Sequence, residues 1–177
     1  QGLVNAPTGS GKTLSVLPPI LWKKLNSQKT TKYSLFCIWI TPLRSLSKQI
    51  QLSIQDFLSD MCDEFSVEVR NGDTSLKVRA RQAKKLPHIL ITTPESFQLL
   101  ICSKGWKKKM EQVDTVVVDE WHELMGSKRG VQLELCLSAL RFYNSNLKTW
   151  GISATIGNLD EAKNVLIGKH LDGSYVK

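Results

Sequence analysis

The chain contains no apolar run approaching the roughly 18–20 residues of a membrane span. Its longest apolar stretches, around Leu35 to Ile40 and Val113 to Val118, have the length of buried strands. The four cysteines, Cys37, Cys62, Cys102 and Cys136, form no C-x-x-C pair, which argues against a zinc knuckle or a redox pair and reads as reduced, mostly buried thiols. With 11 Gly and 6 Pro the sequence is neither low-complexity nor collagen-like. The opening Gln1-Gly2-Leu3-Val4-Asn5 has neither the charged region nor the apolar stretch of a secretory leader, so a cytoplasmic setting is expected. Acid is in deficit: 16 Asp and Glu against 24 Lys and Arg give a net charge of +8. That balance admits a polyanionic partner but does not establish one, because solvated lysines produce the same number.

What is present is enough for one core, since 177 residues fall within the range of about 100–200 residues per domain. Short β-rich runs alternate with segments of helical spacing, the pattern of βαβ units around a mostly parallel sheet with helices on both faces. Strands are predicted near Gly2–Asn5, Ser34–Thr41, Ser66–Arg70, His88–Thr92, Val113–Asp119 and Lys148–Ser153. Helices are predicted near Lys12–Leu25, Ser45–Met61, Ser75–Lys85, Glu95–Ser103, Arg129–Phe142 and Asn158–Leu166. The stretch from Gly168 to Lys177 shows no strong pattern. The first residue is not Met and a motif begins at once, so the sequence reads as part of a longer chain.

The most specific signal is Ala6-Pro7-Thr8-Gly9-Ser10-Gly11-Lys12-Thr13 between an apolar strand and an amphipathic helix. Such a loop turns backbone N–H groups and a helix N-terminus toward phosphate oxygens. Thr8, Gly9, Ser10, Gly11, Lys12 and Thr13 are therefore the expected nucleotide-binding set. Lys12 is suited to reach the β and γ phosphates, and the Thr13 hydroxyl to ligate Mg2+. Ala6 stands where the strict phosphate-loop pattern has Gly.

A second signal is Val116-Val117-Val118-Asp119-Glu120-Trp121-His122, a buried strand ending in two carboxylates. Ligands of a parallel sheet bind beyond the carboxyl ends of its strands, which places this pair beside the phosphate loop. Asp119 is then a candidate to hold Mg2+ and Glu120 to orient or deprotonate the attacking water, with Lys12 completing a hydrolytic set. His122 is expected to contact the γ-phosphate region or the next motif. Trp121 reads equally well as packing or as function. Ser153-Ala154-Thr155 closes another strand, and its two hydroxyls, Ser153 and Thr155, are candidates to relay the nucleotide state to another surface.

Thr41-Pro42-Leu43-Arg44 and Thr93-Pro94-Glu95-Ser96 carry Thr as a candidate N-cap with Pro at the first helical position. Two such corners on neighbouring strands would grip successive backbone phosphates, with Arg44 adding charge. Two well-capped helices are the plain alternative. Asn71-Gly72-Asp73-Thr74 is a turn by composition that would present backbone N–H groups. The basic residues Lys77, Arg79, Arg81, Lys84 and Lys85 spread around their helix and read as a solvated face. Lys107-Lys108-Lys109 reads the same way.

In order along the chain, APTGSGKT, TPLRSL, TTPES, DEWH and SAT resemble motifs I, Ia, Ib, II and III of superfamily two DExH-box helicases. The stretches around Val118–Leu124, Gly126–Gly130 and Trp150–Leu159 resemble the large helicase-related (Lhr) group, and within it the bacterial ligase-associated DNA damage response branch. The resemblance spans essentially the whole chain, and Ala6 is a substitution familiar in helicases. It implies a first RecA-like motor domain over residues 1–177 that binds ATP and Mg2+ and grips single-stranded DNA, with RNA as the alternative, in a bacterial DNA-repair setting. It further implies a second RecA-like domain bearing motifs IV to VI, and DNA ligase or nuclease partners. The Pro42, Gly72, Thr93, Pro94 and Glu95 corners would then touch nucleic acid. On this view the chain by itself binds nucleotide weakly and hydrolyses it barely. A restriction-type motor or a non-catalytic scaffold are the rival readings.

Overall fold

The computed structural model of the chain describes residues 1–7, 10–26, 35–61, 64–154, 156–168 and 171–176. Along them run β1 (Gly2–Asn5), α1 (Lys12–Leu25), β2 (Cys37–Ile40), α2 (Arg44–Met61), β3 (Val67–Arg70) and α3 (Leu76–Lys84). There follow β4 (Ile89–Thr92), α4 (Pro94–Ile101), α5 (Trp106–Met110), β5 (Thr115–Val118), α6 (Trp121–Leu124) and α7 (Lys128–Tyr143). The last elements are β6 (Lys148–Ser153), α8 (Leu159–Ile167) and β7 (Ser174–Val176). The strands form one sheet in the order β3-β4-β2-β5-β6-β1-β7, every pair parallel.

Side chains of a strand alternate between faces, so each apolar run feeds two cores. Ile38, Ile40, Val116 and Val118 enter one, together with Phe97, Trp121, Leu137 and Leu166 from the helices α4, α6, α7 and α8. Cys37, Trp39 and Val117 enter the other, under Leu17, Ile20, Ile54 and Leu58 of α1 and α2. Burial on both faces is why β2 and β5 read as unbroken apolar runs with no polar alternation. Pro18 and Pro19 sit inside α1 without ending it. Each lacks the N–H that would bond the carbonyl four residues earlier. Both prolines, and Leu14 and Ser15 that lose those donors, are exposed, so the loss falls on the solvent side.

Three elements depart from the sequence expectation: α5, α6 and the edge strand β7. The first two are a single turn each, too short to show a helical period. β7 pairs with β1 from Gly2 to Val4 although its three residues are exposed, so the patternless stretch after Gly168 extends the sheet. The corner at Thr41 also differs. The Thr41 N–H continues the β2 ladder by donating to Thr92 O at 3.0 Å, and α2 starts only at Arg44. Thr41 is therefore not an N-cap, nor Pro42 a first helical residue. At the second corner Thr93 is the N-cap of α4 and Pro94 its first residue, as expected. Asn158 caps α8 by accepting from the Glu161 N–H at 3.1 Å, as its spacing predicts, while the Glu161 carboxylate accepts from the Asn158 side-chain amide at 3.2 Å rather than from its backbone N–H.

Candidate nucleotide and nucleic-acid site

Sheet order sets the site. At the carboxyl edge the strand ends line up as Arg70, Thr92, Ile40, Val118, Ser153 and Asn5, each leading into one of the segments that the sequence singles out. Neighbouring strands are about 4.8 Å apart. The phosphate loop after β1 thus adjoins Ser153 of β6 and lies two strands from the carboxylates after β5. The two threonine-proline corners and the Asn71 turn occupy the other half of the same edge. Backbone bonds lock this row: Ala6 N donates to Ser153 O at 3.1 Å and Asp119 N to Ile40 O at 2.8 Å.

Gly11 caps α1 with φ 76°, a left-handed conformation that costs glycine little, and Ser10 Oγ donates to Pro7 O at 2.7 Å to hold the turn. Thr8 and Gly9 lie outside the described residues. Gly11, Lys12 and Thr13 share a cleft of about 400 Å³ with Asp119 and Glu120, walled by Leu46, Gln49, Ile50 and Ser53 of α2. Lys12 is 7% exposed, and its Nζ has no hydrogen-bond partner among the described residues. A buried ammonium is costly unless an anion meets it. A Mg2+-bound triphosphate fits this arrangement: a cation waits for phosphate oxygens, and a hydroxyl and two carboxylates line the same cleft. A larger cavity of about 530 Å³ lies at the opposite edge of the sheet, beside Lys84, Lys85, Lys108 and Lys109. It lacks the acidic groups, so donor chemistry rather than volume identifies the site.

Asp119 is 5% exposed. Burial, with the Glu120 charge adding to it, raises its carboxyl to about 6 against the opposing hydrogen bond from Trp39. Trp39 Nε1 donates to its Oδ2 at 3.4 Å and the Glu120 N–H to its Oδ1 at 3.0 Å, fixing the carboxylate from two sides. Glu120 has φ 46° and ψ 47°, the one non-glycine residue with positive φ among those described. Left-handed backbone costs an ordinary residue about 1–2 kcal/mol, and here it turns the chain out of β5 into α6. His122 Nδ1 lies 3.5 Å from Glu120 Oε2 and 2.8 Å from Ser153 Oγ, so the structure brings three of the expected residues together. Thr155 lies outside the described residues. Trp121 is fully buried and donates to Ala162 O at 3.0 Å, which settles it as packing.

In the other half, Arg44 Nη1 pairs with Asp73 Oδ1 at 2.9 Å, its guanidinium lying over Gly72 so closely that a Cβ there would come within 2.5 Å of Arg44 Cζ. Against expectation, the Asn71 turn keeps three of the four backbone donors of Asn71–Thr74 to itself, the Gly72 N–H not being among them. Asn71 N donates to Thr74 Oγ1, Asp73 N to Asn71 Oδ1 and Thr74 N to Asn71 O, because an Asx turn satisfies its own backbone. Nor is α3 merely a solvated basic face. Arg79 donates to Asn71 O and Gly72 O, at 2.9 and 3.0 Å, and Arg81 pairs with Glu68. Glu95 and Arg129 form a two-point contact, and Arg129 Nη2 donates to Pro42 O at 2.6 Å. Burial raises the Glu95 carboxyl, but the bonds from Arg129, its own N–H and the Thr93 hydroxyl outweigh it and hold the group below its ordinary value. Single-sequence reasoning assigns Arg79 and Arg129 no site role: Arg79 reads as one of several basic residues spread around α3, and the partners of Arg129 lie 34 and 87 residues away.

A seven-stranded parallel sheet with a phosphate loop, paired carboxylates and a hydroxyl strand end along one edge defines a RecA-like nucleotide-binding domain of the helicase type. The DEAD/DEAH box helicase family matches residues 1–162, and the chain belongs to that family. It is 37% identical over 177 aligned residues to the "ATP-dependent helicase Lhr-Core" of Methanothermobacter thermautotrophicus, covering 94% of this chain and 20% of that protein. It is similar to the Mycobacterium smegmatis helicase Lhr solved bound to ssDNA and AMP-PNP, with a TM-score of 0.86, 30% identity, and coverage of 99% of this chain and 23% of that one. It also resembles Mss116p bound to ssRNA and AMP-PNP, with a TM-score of 0.81, 25% identity, and coverage of 93% and 34%. The chain thus spans about a fifth of the length of the Lhr-Core relative it matches. No helix among the described residues is long and apolar enough to cross a membrane.

Proposed function

We propose that this chain is the first RecA-like motor domain of an ATP-dependent DNA helicase or translocase of the Lhr type, acting in DNA repair. The observation that carries the nucleotide half is the convergence of Lys12, Asp119 and Glu120 on one cleft, with the Lys12 ammonium buried and without a hydrogen-bond partner among the described residues. Lys12 and the Ser10–Thr13 turn hold the β and γ phosphates. Thr13 and Asp119 hold Mg2+, which when bound offsets charge on the phosphate oxygens. Glu120 orients the attacking water and accepts its proton. His122, bonded to Ser153, keeps the Glu120 carboxylate aimed and links it to the end of β6.

On the other half of the edge, Thr41, Pro42, Arg44, Gly72, Thr93, Pro94 and Glu95 form the track for a single strand. Contacts of this kind address the phosphate backbone and carry no sequence preference. DNA is favoured by the M. smegmatis Lhr structure with ssDNA. The Mss116p structure with ssRNA supports the second reading, an RNA motor, on the same track. A second RecA-like domain completes the catalytic centre. An arginine finger of the kind such domains supply contributes about 10³–10⁵ in rate in phosphoryl-transfer enzymes. The 177-residue chain by itself is therefore a weak nucleotide binder and a poor hydrolase. Repair-ligase or nuclease partners belong to the same proposal.

Titration with a fluorescent ATP analogue in Mg2+, with Lys12→Ala as the control, tests the nucleotide half. Saturable binding that the variant loses is the expected result. A folded chain that binds the analogue equally well with and without Lys12 overturns the assignment. Stimulation of the intact protein's hydrolysis by DNA against RNA oligonucleotides decides between the two readings.

A further inference from the structure

We propose that Arg129 is a positioning residue that holds the two threonine-proline corners in fixed relation and ties them to the segment carrying Asp119 and Glu120. The proposal rests on reading those corners as the nucleic-acid track. Thr41 N bonding to Thr92 O joins strands β2 and β4 at their carboxyl ends, and beyond it the two segments part toward α2 and α4. Arg129, arriving from α7, bridges that gap. Its Nη2 donates to Pro42 O at 2.6 Å and to Glu95 Oε2 at 3.3 Å, while its Nε donates to Glu95 Oε1. One planar fork thereby sets the distance between the backbone of one corner and the side chain of the other, which a lysine's single point charge does not reproduce.

The base of that fork is itself rigidly set. Ser127 Oγ accepts from the Gly130 N–H at 3.1 Å and donates to Leu124 O at 2.6 Å. Gly126 turns the chain with φ 68°, and a Cβ on Gly130 would lie 2.0 Å from Leu124 O. Only glycine lets α7 start so close to the end of α6. α6 in turn is capped by Glu120. A run of backbone bonds, Glu123 N to Glu120 O, Met125 N to Trp121 O and Ser127 N to Leu124 O, therefore leads from the backbone of Glu120 through α6 to the start of the helix that carries Arg129. The side chains of Arg129 and Glu95 are 37% and 49% exposed, and their two-point contact fixes orientation as well as adding energy, which is what a positioning role requires.

The test is fluorescence anisotropy of a labelled oligothymidylate with the parent chain, Arg129→Ala and Arg129→Lys, alongside titration of an ATP analogue in Mg2+ with and without the oligonucleotide. Arg129→Ala is expected to weaken oligonucleotide binding about tenfold and to bring the oligonucleotide's effect on analogue affinity toward one. Arg129→Lys restores only part of either. Analogue affinity without oligonucleotide stays within about twofold, a change small against the RT scale of binding. Thermal melting checks the fold, and if Arg129→Ala does not fold, Arg129→Lys is judged by the same two readouts. A parent chain that binds the oligonucleotide while the folded variant binds it equally, with unchanged coupling, overturns the role of Arg129 and leaves the track standing. A parent chain that binds the ATP analogue but no oligonucleotide overturns the track and this proposal with it.

Discussion

His122 Nδ1 and Ser153 Oγ lie 2.8 Å apart, joining the residue two places beyond Glu120 to the last residue of β6. Ser153→Ala removes that bond from a fully buried position. Nucleotide binding is expected to persist, while nucleic-acid-stimulated hydrolysis by the intact protein falls about tenfold, the loss of a hydrogen bond worth about 1–1.5 kcal/mol. Steady-state rates across oligonucleotide concentration check this, and an unchanged stimulated rate would count against the His122 link.

Asp119 titrates near 6 because burial disfavours its charge. An acid whose pKa is higher in the folded than in the unfolded chain binds its proton more tightly when folded. Its favourable contribution is thus complete below the ordinary value of 3.8 and disappears as pH rises through about 6. The nucleotide-free protein is therefore less stable at neutral pH than at low pH by about 2–3 kcal/mol from this group alone, since each tenfold gain in proton affinity on folding corresponds to about 1.4 kcal/mol. Asp119→Asn is expected to raise the melting temperature at pH 7.5 and to change it little at pH 4. Mg2+-nucleotide affinity of the parent should drop below pH 6, where the proton competes with the metal. Melting curves at the two pH values and titrations across them provide the check.

Glu120 combines a chemical role with an unfavourable backbone. Glu120→Gln keeps the left-handed conformation, whereas Glu120→Gly relieves it by about 1 kcal/mol. Both variants are expected to bind nucleotide and fail to hydrolyse it, but the glycine variant should melt about 2–4 °C higher than the glutamine variant. Equal melting temperatures would show that the turn is not strained.

Thiol chemistry should be uneven. Burial raises the Cys37 thiol to about 12, with Asp114 adding to it, and raises Cys136 to about 11, while Cys102 is exposed. The thiolate is the reacting form. Alkylation of the native chain at pH 8, mapped by mass spectrometry, is expected at Cys102 well before Cys37 or Cys136.

The sheet and most helices are legible in the sequence because the central strands β2, β4 and β5 are apolar enough to be buried on both faces, and the helices α3, α7 and α8 start at recognisable capping residues, Ser75, Ser127 and Asn158. Lys12, Asp119 and Glu120 are legible because phosphate chemistry restricts which residues serve at those strand ends. Single turns such as α5 and α6 are not, since one turn has no period, and neither is β7, whose place comes from pairing with β1. The Thr41 corner misleads because its local sequence suits an N-cap, whereas β2 pairing with β4 carries the chain on through Thr41 and the helix starts only at Arg44, out of reach of the Thr41 hydroxyl. Arg129 escapes because its partners are brought near only by the fold, and Arg79 because nothing in its spacing singles it out from the other basic residues of α3. The Asn71 turn has the right residues, but its side chains compete for the very backbone donors expected to face outward.

β5 is hydrogen-bonded on one side to β2 and on the other to β6, so the strand that leads to Asp119 belongs to both halves of the edge. Heat or a crippling core substitution such as Val117→Asp would therefore not strip one activity and spare the other. Conditional variants of this domain are expected to lose nucleotide binding and strand grip at the same temperature, read by following both titrations through the melting transition.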